Sequence, residues 1–183
     1  AYLSVETENG GIEVTAADGD WVQVRVHTEV PAASLARAED FATQVEVRVE
    51  RDGDGLRLYH QSPRPPADIE VIVNYAVECP PQVIASLAGV NGDIAVTGLT
   101  AATAVAVENG RIDYQGSRGP LSAISVKRSG HPRTRSRWGR SSKPDTSQAR
   151  VVRQVEFGLA TSDADDGAHG GLGERPCHMA RGM

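Results

Sequence analysis

Five histidines and two cysteines are the residues of this 183-residue sequence that could bind a metal or support nucleophilic catalysis. They are His27, His60, His131, His169, His178, Cys79 and Cys177. The histidines show no metal-type pairing such as H-E-x-x-H, and two cysteines without a C-x-x-C motif cannot form a zinc site alone. The sequence also lacks a G-x-S-x-G elbow, a P-loop and a G-x-G-x-x-G motif after a strand. We therefore predict no catalytic, cofactor-binding or metal-binding residues, and no enzyme.

Two further chemical options come from the carboxylates and the cysteines. Asp163, Asp165 and Glu174 follow part of the EF-hand spacing, but two loop positions carry the wrong residues and no helices flank the segment. Cys79 stands at an apolar strand end before a proline, which favours a small buried hydrophobe. A disulfide between Cys79 and Cys177 in an oxidising compartment is the alternative.

The elements that would position any site are predicted to be strands. The sequence has 21 Val against 9 Leu and 7 Ile, which favours strands over helices. Apolar and polar residues alternate in residues 3–7 and again in residues 21–27. Residues 45–50 and 56–59 alternate on both sides of an Asp-Gly turn and predict a hairpin. One short helix is predicted near residues 34–43, where apolar residues recur at helical spacing.

A short repeat follows the strand that ends near Cys79. "VNGDIAVTG" starts at Val90, "ENGRIDYQG" starts at Glu108, and "ENGGIEVTA" from Glu8 is a more distant copy. Asn-Gly fits a type I′ turn with a returning strand, and a regular spacing of about 20 residues is typical of strand-stacking solenoids. The predicted structural turns are Asn9, Gly10, Asn91, Gly92, Asn109 and Gly110. We predict an all-β fold: a right-handed β-solenoid or β-helix-like stack of short strands with one helix and a disordered C-terminal tail.

The order of these segments resembles the DUF4097 family of bacterial adhesin-type domains over residues 1–126. The opening strand, the hairpin "VEVRVERDGDGLRLYH", the strand "DIEVIVNYAVECPP" and the "VNGDIAVTG" repeats follow one another as in that family. The resemblance implies a β-solenoid-like fold, a location on the bacterial cell envelope or outside the cell, and no cofactor. The chain departs from the family pattern because it starts within the first strand, without an export signal, and because the repeats stop after Val126.

The function that we expect is a non-enzymatic envelope domain of the adhesin type. The alternative is a sensor or regulatory binding module in envelope-stress signalling. A carbohydrate-active enzyme on a β-helix is disfavoured, because Asp93 and Asp113 follow their Asn-Gly pairs at different offsets. Trp21 and Tyr59 could be exposed anchors for a ligand or could pack in the core. No apolar run reaches the roughly 18 residues of a membrane span, and we expect no nucleic-acid partner. An open end of the stack would expose unpaired edges, so self-association is expected there.

The charge distribution sets residues 127–183 apart from the rest of the chain. Residues 1–126 hold 8 Arg and 18 acidic residues, a net charge of −10, whereas residues 127–183 have a net charge of +5. Residues 127–150 contain no Val, Ile or Leu, so this basic low-complexity tail is predicted to be disordered. The tail could be a basic arm, a solvated linker or a frameshifted read-through. The third hypothesis rests on a single-nucleotide deletion that would turn "KRSGHPRT" into another Asn-Gly repeat.

Overall fold

The computed structural model describes residues 1–126 and 149–160, and these residues are mostly β-strand. In chain order the elements are β1 (Tyr2–Asn9), β2 (Ile12–Ala16), β3 (Trp21–Ala32), α1 (Leu35–Ala42), β4 (Glu46–Asp52), β5 (Gly55–Gln61), β6 (Ile72–Cys79), β7 (Ile84–Asn91), β8 (Ile94–Thr97), β9 (Thr103–Asn109), β10 (Ile112–Gln115), β11 (Leu121–Ser125) and β12 (Ala149–Ala160). Within these residues, α1 is the one helix, as the sequence predicted. None of the described helical structure is long and apolar enough to cross a membrane.

The strands form two open, mixed sheets of six strands each. Sheet A has the order β11-β9-β7-β1-β5-β4, and sheet B has the order β10-β8-β2-β6-β3-β12. In sheet A, β4 pairs antiparallel with β5 and the other neighbours are parallel. In sheet B, β3 pairs antiparallel with both β6 and β12, and the other neighbours are parallel. The predominantly β fold is therefore confirmed.

The inward faces of the two sheets form one aliphatic core. Alternate residues of the central strands are buried, as in β3 and β6. Val5, Leu87 and Val105 lie side by side in sheet A, and all three are buried. Each fully buried Val or Leu contributes about 1.5–3 kcal/mol relative to an exposed one. The core needs few aromatic residues because β-branched side chains pack well against their neighbours on adjacent strands.

The predicted hairpin is confirmed, whereas the returning strands expected at the Asn-Gly pairs are wrong. Residues of β4 and β5 pair from Glu46 with Gln61 to Asp52 with Gly55. By contrast, β1 and β2 lie in different sheets, and so do β7 and β8 as well as β9 and β10. The Asn-Gly pairs therefore lie where the chain passes from sheet A to sheet B. A type I′ turn serves adjacent antiparallel strands, which these strands are not.

The expectation of a disordered tail is wrong for residues 149–160. These residues form β12, which pairs along its whole length with the edge of β3. The physical reason is a short alternating segment in which Val151, Phe157 and Leu159 pack against the core. Arg153 also donates a hydrogen bond to the carbonyl oxygen of Ala42 at the end of α1, at 2.9 Å. The rest of the tail, residues 127–148 and 161–183, lies outside the described residues.

Candidate functional site

The three asparagines of the repeats form a hydrogen-bonded ladder at the junction between the sheets. Asn91 Nδ2 donates to Asn9 Oδ1 at 2.8 Å, and Asn109 Nδ2 donates to Asn91 Oδ1 at 3.0 Å. The backbone N–H groups of Gly10 and Gly92 donate to the carbonyl oxygens of Asn91 and Asn109 at 2.9 and 3.1 Å. The ladder therefore joins the ends of β1, β7 and β9, whose asparagines are in register.

The glycines beside the ladder leave no space for a side chain. A Cβ atom on Gly10 would lie 2.2 Å from the carbonyl oxygen of Val73. A Cβ atom on Gly92 would lie 2.0 Å from the carbonyl oxygen of Gly10, and one on Gly110 would lie 1.9 Å from that of Gly92. Gly10 and Gly92 also have φ angles of 124° and 143°, which L side chains rarely adopt. The six predicted turn residues are thus brought together into one packed corner.

The two histidines and the cysteine that the structure describes lie on three different strands. The ring of His27, on β3, contacts Glu29 Oε1 at 3.0 Å. His60, on β5, is half-buried, and its Nδ1 atom has no hydrogen-bond partner among the described residues. Burial lowers the pKa of His60, and the nearby Glu8 partly opposes this effect. Within residues 1–126 and 149–160, no three His, Cys, Asp or Glu side chains are placed to hold a metal ion.

Cys79 is a buried thiol at the end of β6. It is fully buried in the core, and burial raises its pKa to about 11. A thiol with so high a pKa is almost entirely protonated near neutral pH, and only the thiolate is a good nucleophile. This environment matches the predicted small hydrophobe. His131, His169, His178, Cys177 and the acidic residues Asp163, Asp165 and Glu174 lie outside the described residues.

The outer face of sheet A carries a shallow groove of about 390 Å³. One row of its lining crosses four parallel strands, because Glu6 pairs with Ala88, Ala88 with Ala106, and Ala106 with Ile124. The small alanines form its floor. Other lining residues are Glu8, Tyr59, Val90, Glu108 and Val126. The groove therefore combines small apolar residues with the carboxylates of Glu6, Glu8 and Glu108.

The wall of the groove at β5 is held in place by polar contacts. The hydroxyl of Tyr59 donates to Glu50 Oε1 at 2.6 Å, and this hydrogen bond raises the pKa of Tyr59. The guanidinium of Arg57 lies 5.0 Å from the centroid of the Tyr59 ring and pairs with Glu6 at 3.1 Å. The described residues that line the groove include three glutamates and neither Lys nor Arg. The groove is consequently suited to groups that donate hydrogen bonds or carry positive charge.

Of the two aromatic residues proposed as anchors, only Tyr59 reaches this groove. Trp21 is 37% exposed and lies on the opposite sheet, in a separate hollow with Phe157 and Leu159. The groove is not predictable from local sequence, because its residues come from strands that pair across long sequence distances. The signal available in the sequence was the pair of small residues Ala88 and Ala106, which precede the Asn-Gly pairs of adjacent repeats at the same offset.

No family model matches the chain. No curated protein matches it either. A solved structure described as a "putative cell adhesion protein" from Clostridium sporogenes is similar over 69% of this chain and 91% of that chain. The TM-score is 0.28 and the identity is 7%, so no conclusion about fold or function rests on this similarity. Membership of the DUF4097 family stays a prediction.

Proposed function

We propose that the chain is a non-enzymatic binding domain of the bacterial cell envelope, of the adhesin type, and that the groove on sheet A is its binding surface. The observation that carries the proposal is the row Glu6, Ala88, Ala106 and Ile124, which continues across four hydrogen-bonded strands. A surface built from stacked strands is long and regular, and it suits an extended ligand better than a small molecule.

The chemistry of the groove defines the class of ligand. Carboxylates accept hydrogen bonds from hydroxyl, amide or ammonium groups. The alanine floor offers apolar contact of low relief, on which the C–H face of a sugar ring or a flat polymer can rest. We therefore expect an envelope polymer rich in hydrogen-bond donors, located outside the cytoplasm.

The same stacking supports the solenoid interpretation. Equivalent residues of adjacent repeats pair in both sheets, as Ala85 with Thr103 and Ile94 with Ile112. Between β7 and β9 the chain crosses to sheet B and returns, and parallel crossovers of this kind are right-handed in about 98% of cases. We infer that β1/β2, β7/β8 and β9/β10 are successive turns of a short right-handed solenoid related to the DUF4097 domains.

Retention of the purified whole chain on intact bacterial cells tests the proposal. Saturable retention that weakens as salt is added is expected, because exposed carboxylates are screened by ions. A variant with Glu8→Gln and Glu108→Gln should be retained less well. The matched control carries Glu13→Gln and Glu70→Gln, which remove two carboxylates that do not line the groove. Equal retention of both variants, or no retention of the unsubstituted chain, would overturn the proposal.

A further inference from the structure

Strand β11 is an edge of sheet A that, within the described residues, is protected by neither charge nor proline. Its sequence, Leu-Ser-Ala-Ile-Ser, contains no charge and no proline, and all five of its residues are exposed. Leu121 is 42% exposed although it stands in register with the buried Thr103. Outward-facing Ile124 is 59% exposed. Among the residues that the structure describes, no strand pairs with the other side of β11.

The backbone N–H and C=O groups of the odd-numbered residues of β11 point to this free side. The N–H of Val126 donates to the carbonyl oxygen of Val107 at 2.9 Å, and the carbonyl oxygen of Pro120 accepts from Thr103 at 2.9 Å. The even-numbered residues thus face β9. Because these directions alternate along a strand, the N–H and C=O groups of Leu121, Ala123 and Ser125 point away from β9.

The opposite edges of the two sheets are protected. At the far edge of sheet A, the outward side chains of β4 are Glu46, Arg48 and Glu50, and charges of this kind discourage edge-to-edge pairing. At the far edge of sheet B, β12 covers β3, and its exposed residues include Arg150 and Glu156. The contrast marks β11 as an edge that is open to a further strand.

We propose that β11 is a dimerisation edge at which two copies of the chain join end to end, with their β11 strands antiparallel around Ala123. In this register Ala123 faces Ala123 of the second copy, and Leu121 faces Ser125 of the second copy. All three odd-numbered residues then exchange N–H···O bonds, as the hydrogen-bonded pairs of an antiparallel ladder require. Inward residues meet inward residues, so both the core and sheet A continue from one copy into the next.

The second copy fits this edge better than the chain that follows β11. A further strand in sheet A must place apolar residues at alternate positions to cover the inward-facing Leu121, which is 42% exposed, and its neighbours on β11. Residues 127–150 contain no Val, Ile or Leu, whereas β11 of a second copy supplies Leu121 and Ala123. Pairing also places Ser122 of the second copy beside Ile124, so that the groove extends across the joint. The inference does not depend on what the groove binds.

The mass of the whole chain in solution, measured by light scattering over a concentration series, tests this inference. The unsubstituted chain should pass from the mass of one chain to that of two. Ala123→Pro removes an N–H that faces the free side and leaves the bonds to β9 in place, so this variant should stay monomeric. Ile124→Lys should also stay monomeric. Because Ile124 faces outward, this variant leaves the core unchanged and keeps the test valid if the proline variant misfolds. Val152→Lys is the matched control on β12, where Val152 is 46% exposed, and it should dimerise normally.

A cysteine pair tests the register. Ser122 and Ile124 of the second copy form a directly opposed, non-hydrogen-bonded pair, with Cα atoms about 4.5 Å apart, within the range for a disulfide. In a Cys177→Ser background, the double variant Ser122→Cys, Ile124→Cys should yield a covalent dimer on mild oxidation, whereas cysteines at Glu46 and Arg48 on β4 should not. A monomer at every concentration, or a dimer that Ile124→Lys leaves intact, would overturn the proposal.

Discussion

The side-chain amide of Asn91 donates a hydrogen bond to Oδ1 of Asn9, at 2.8 Å, across 82 positions of sequence. Asn109 repeats the contact one strand further along the sheet. Ladders of identical amide side chains are a feature of stacked strands, where each residue both donates and accepts. Here the ladder joins the distant first copy of the repeat to the two adjacent copies.

We expect Asn91→Ala to cost more stability than Asn109→Ala. Asn91 takes part in two ladder hydrogen bonds and Asn109 in one. At a net value of about 0.5–1.5 kcal/mol per hydrogen bond, Asn91→Ala should lower the free energy of unfolding by about 1–3 kcal/mol, and Asn109→Ala by half as much. Urea unfolding of the two variants measures both values. Equal losses would show that the ladder bonds do not contribute as described.

Gly92→Ala should be far more damaging than Gly53→Ala. At Gly92 an added Cβ atom would lie 2.0 Å from a backbone oxygen, with φ at 143°, whereas the space around Gly53 is open, with φ at 61°. Gly53→Ala should lower the free energy of unfolding by about 1–2 kcal/mol, because an alanine disfavours the left-handed conformation. Gly92→Ala should lose more than about 4 kcal/mol or fail to fold. Thermal unfolding of both variants checks this order, and a Gly92→Ala protein as stable as Gly53→Ala would contradict the corner packing.

Stability should fall at mildly acidic pH through His60. Burial lowers its pKa in the folded state below the ordinary value of 6.5, so the unfolded chain binds this proton more readily. The neutral ring therefore contributes to the free energy of unfolding above pH 6.5, and this contribution is lost as the pH falls through the folded-state pKa. His60→Gln should flatten this part of the curve of unfolding free energy against pH. An unchanged slope in the variant would argue against a buried neutral histidine.

At alkaline pH, the folded state should lose stability through Cys79. Its pKa rises from 9.0 to about 11 in the folded state, because burial disfavours the thiolate. The stabilisation is complete below pH 9 and is lost as the pH rises towards 11, since the unfolded chain releases its proton first. A shift of this size corresponds to about 2–3 kcal/mol. Cys79→Ala should reduce the loss between pH 9 and 11, and chemical unfolding at several pH values tests whether it does.

Local patterns were sufficient to predict local structure. The helix from Leu35 to Ala42 and the hairpin of β4 and β5 follow from spacing and from an Asp-Gly turn, and both depend on residues close in sequence. The Asn-Gly pairs show the limit. Asn9 and Gly10 carry the signal of a tight hairpin, yet the strands on either side of them lie in different sheets and pair with strands that are distant in sequence. Two neighbouring residues cannot encode that choice.

The groove was beyond sequence analysis for the same reason. Tyr59 and Glu6 line the same groove because β1 pairs with β5, which is distant in sequence, as in the pairing of Tyr2 with Gly55. Residues 149–160 follow a basic segment without Val, Ile or Leu, and the composition of the whole tail predicts disorder. The alternation of Val151, Phe157 and Leu159 within residues 149–160 is instead typical of a strand.

Binding of the whole chain to cells of the organism that encodes it, compared between Ala106→Arg and Ala104→Arg, tests the central claim most directly. Both alanines are exposed outward residues of β9, but only Ala106 lines the groove. An arginine at position 106 fills the floor and pairs with the carboxylates, so affinity should fall about tenfold or more, equivalent to about 1.4 kcal/mol. Ala104→Arg should bind like the unsubstituted chain. Equal affinities for the two variants would contradict the assignment of the groove as the binding surface.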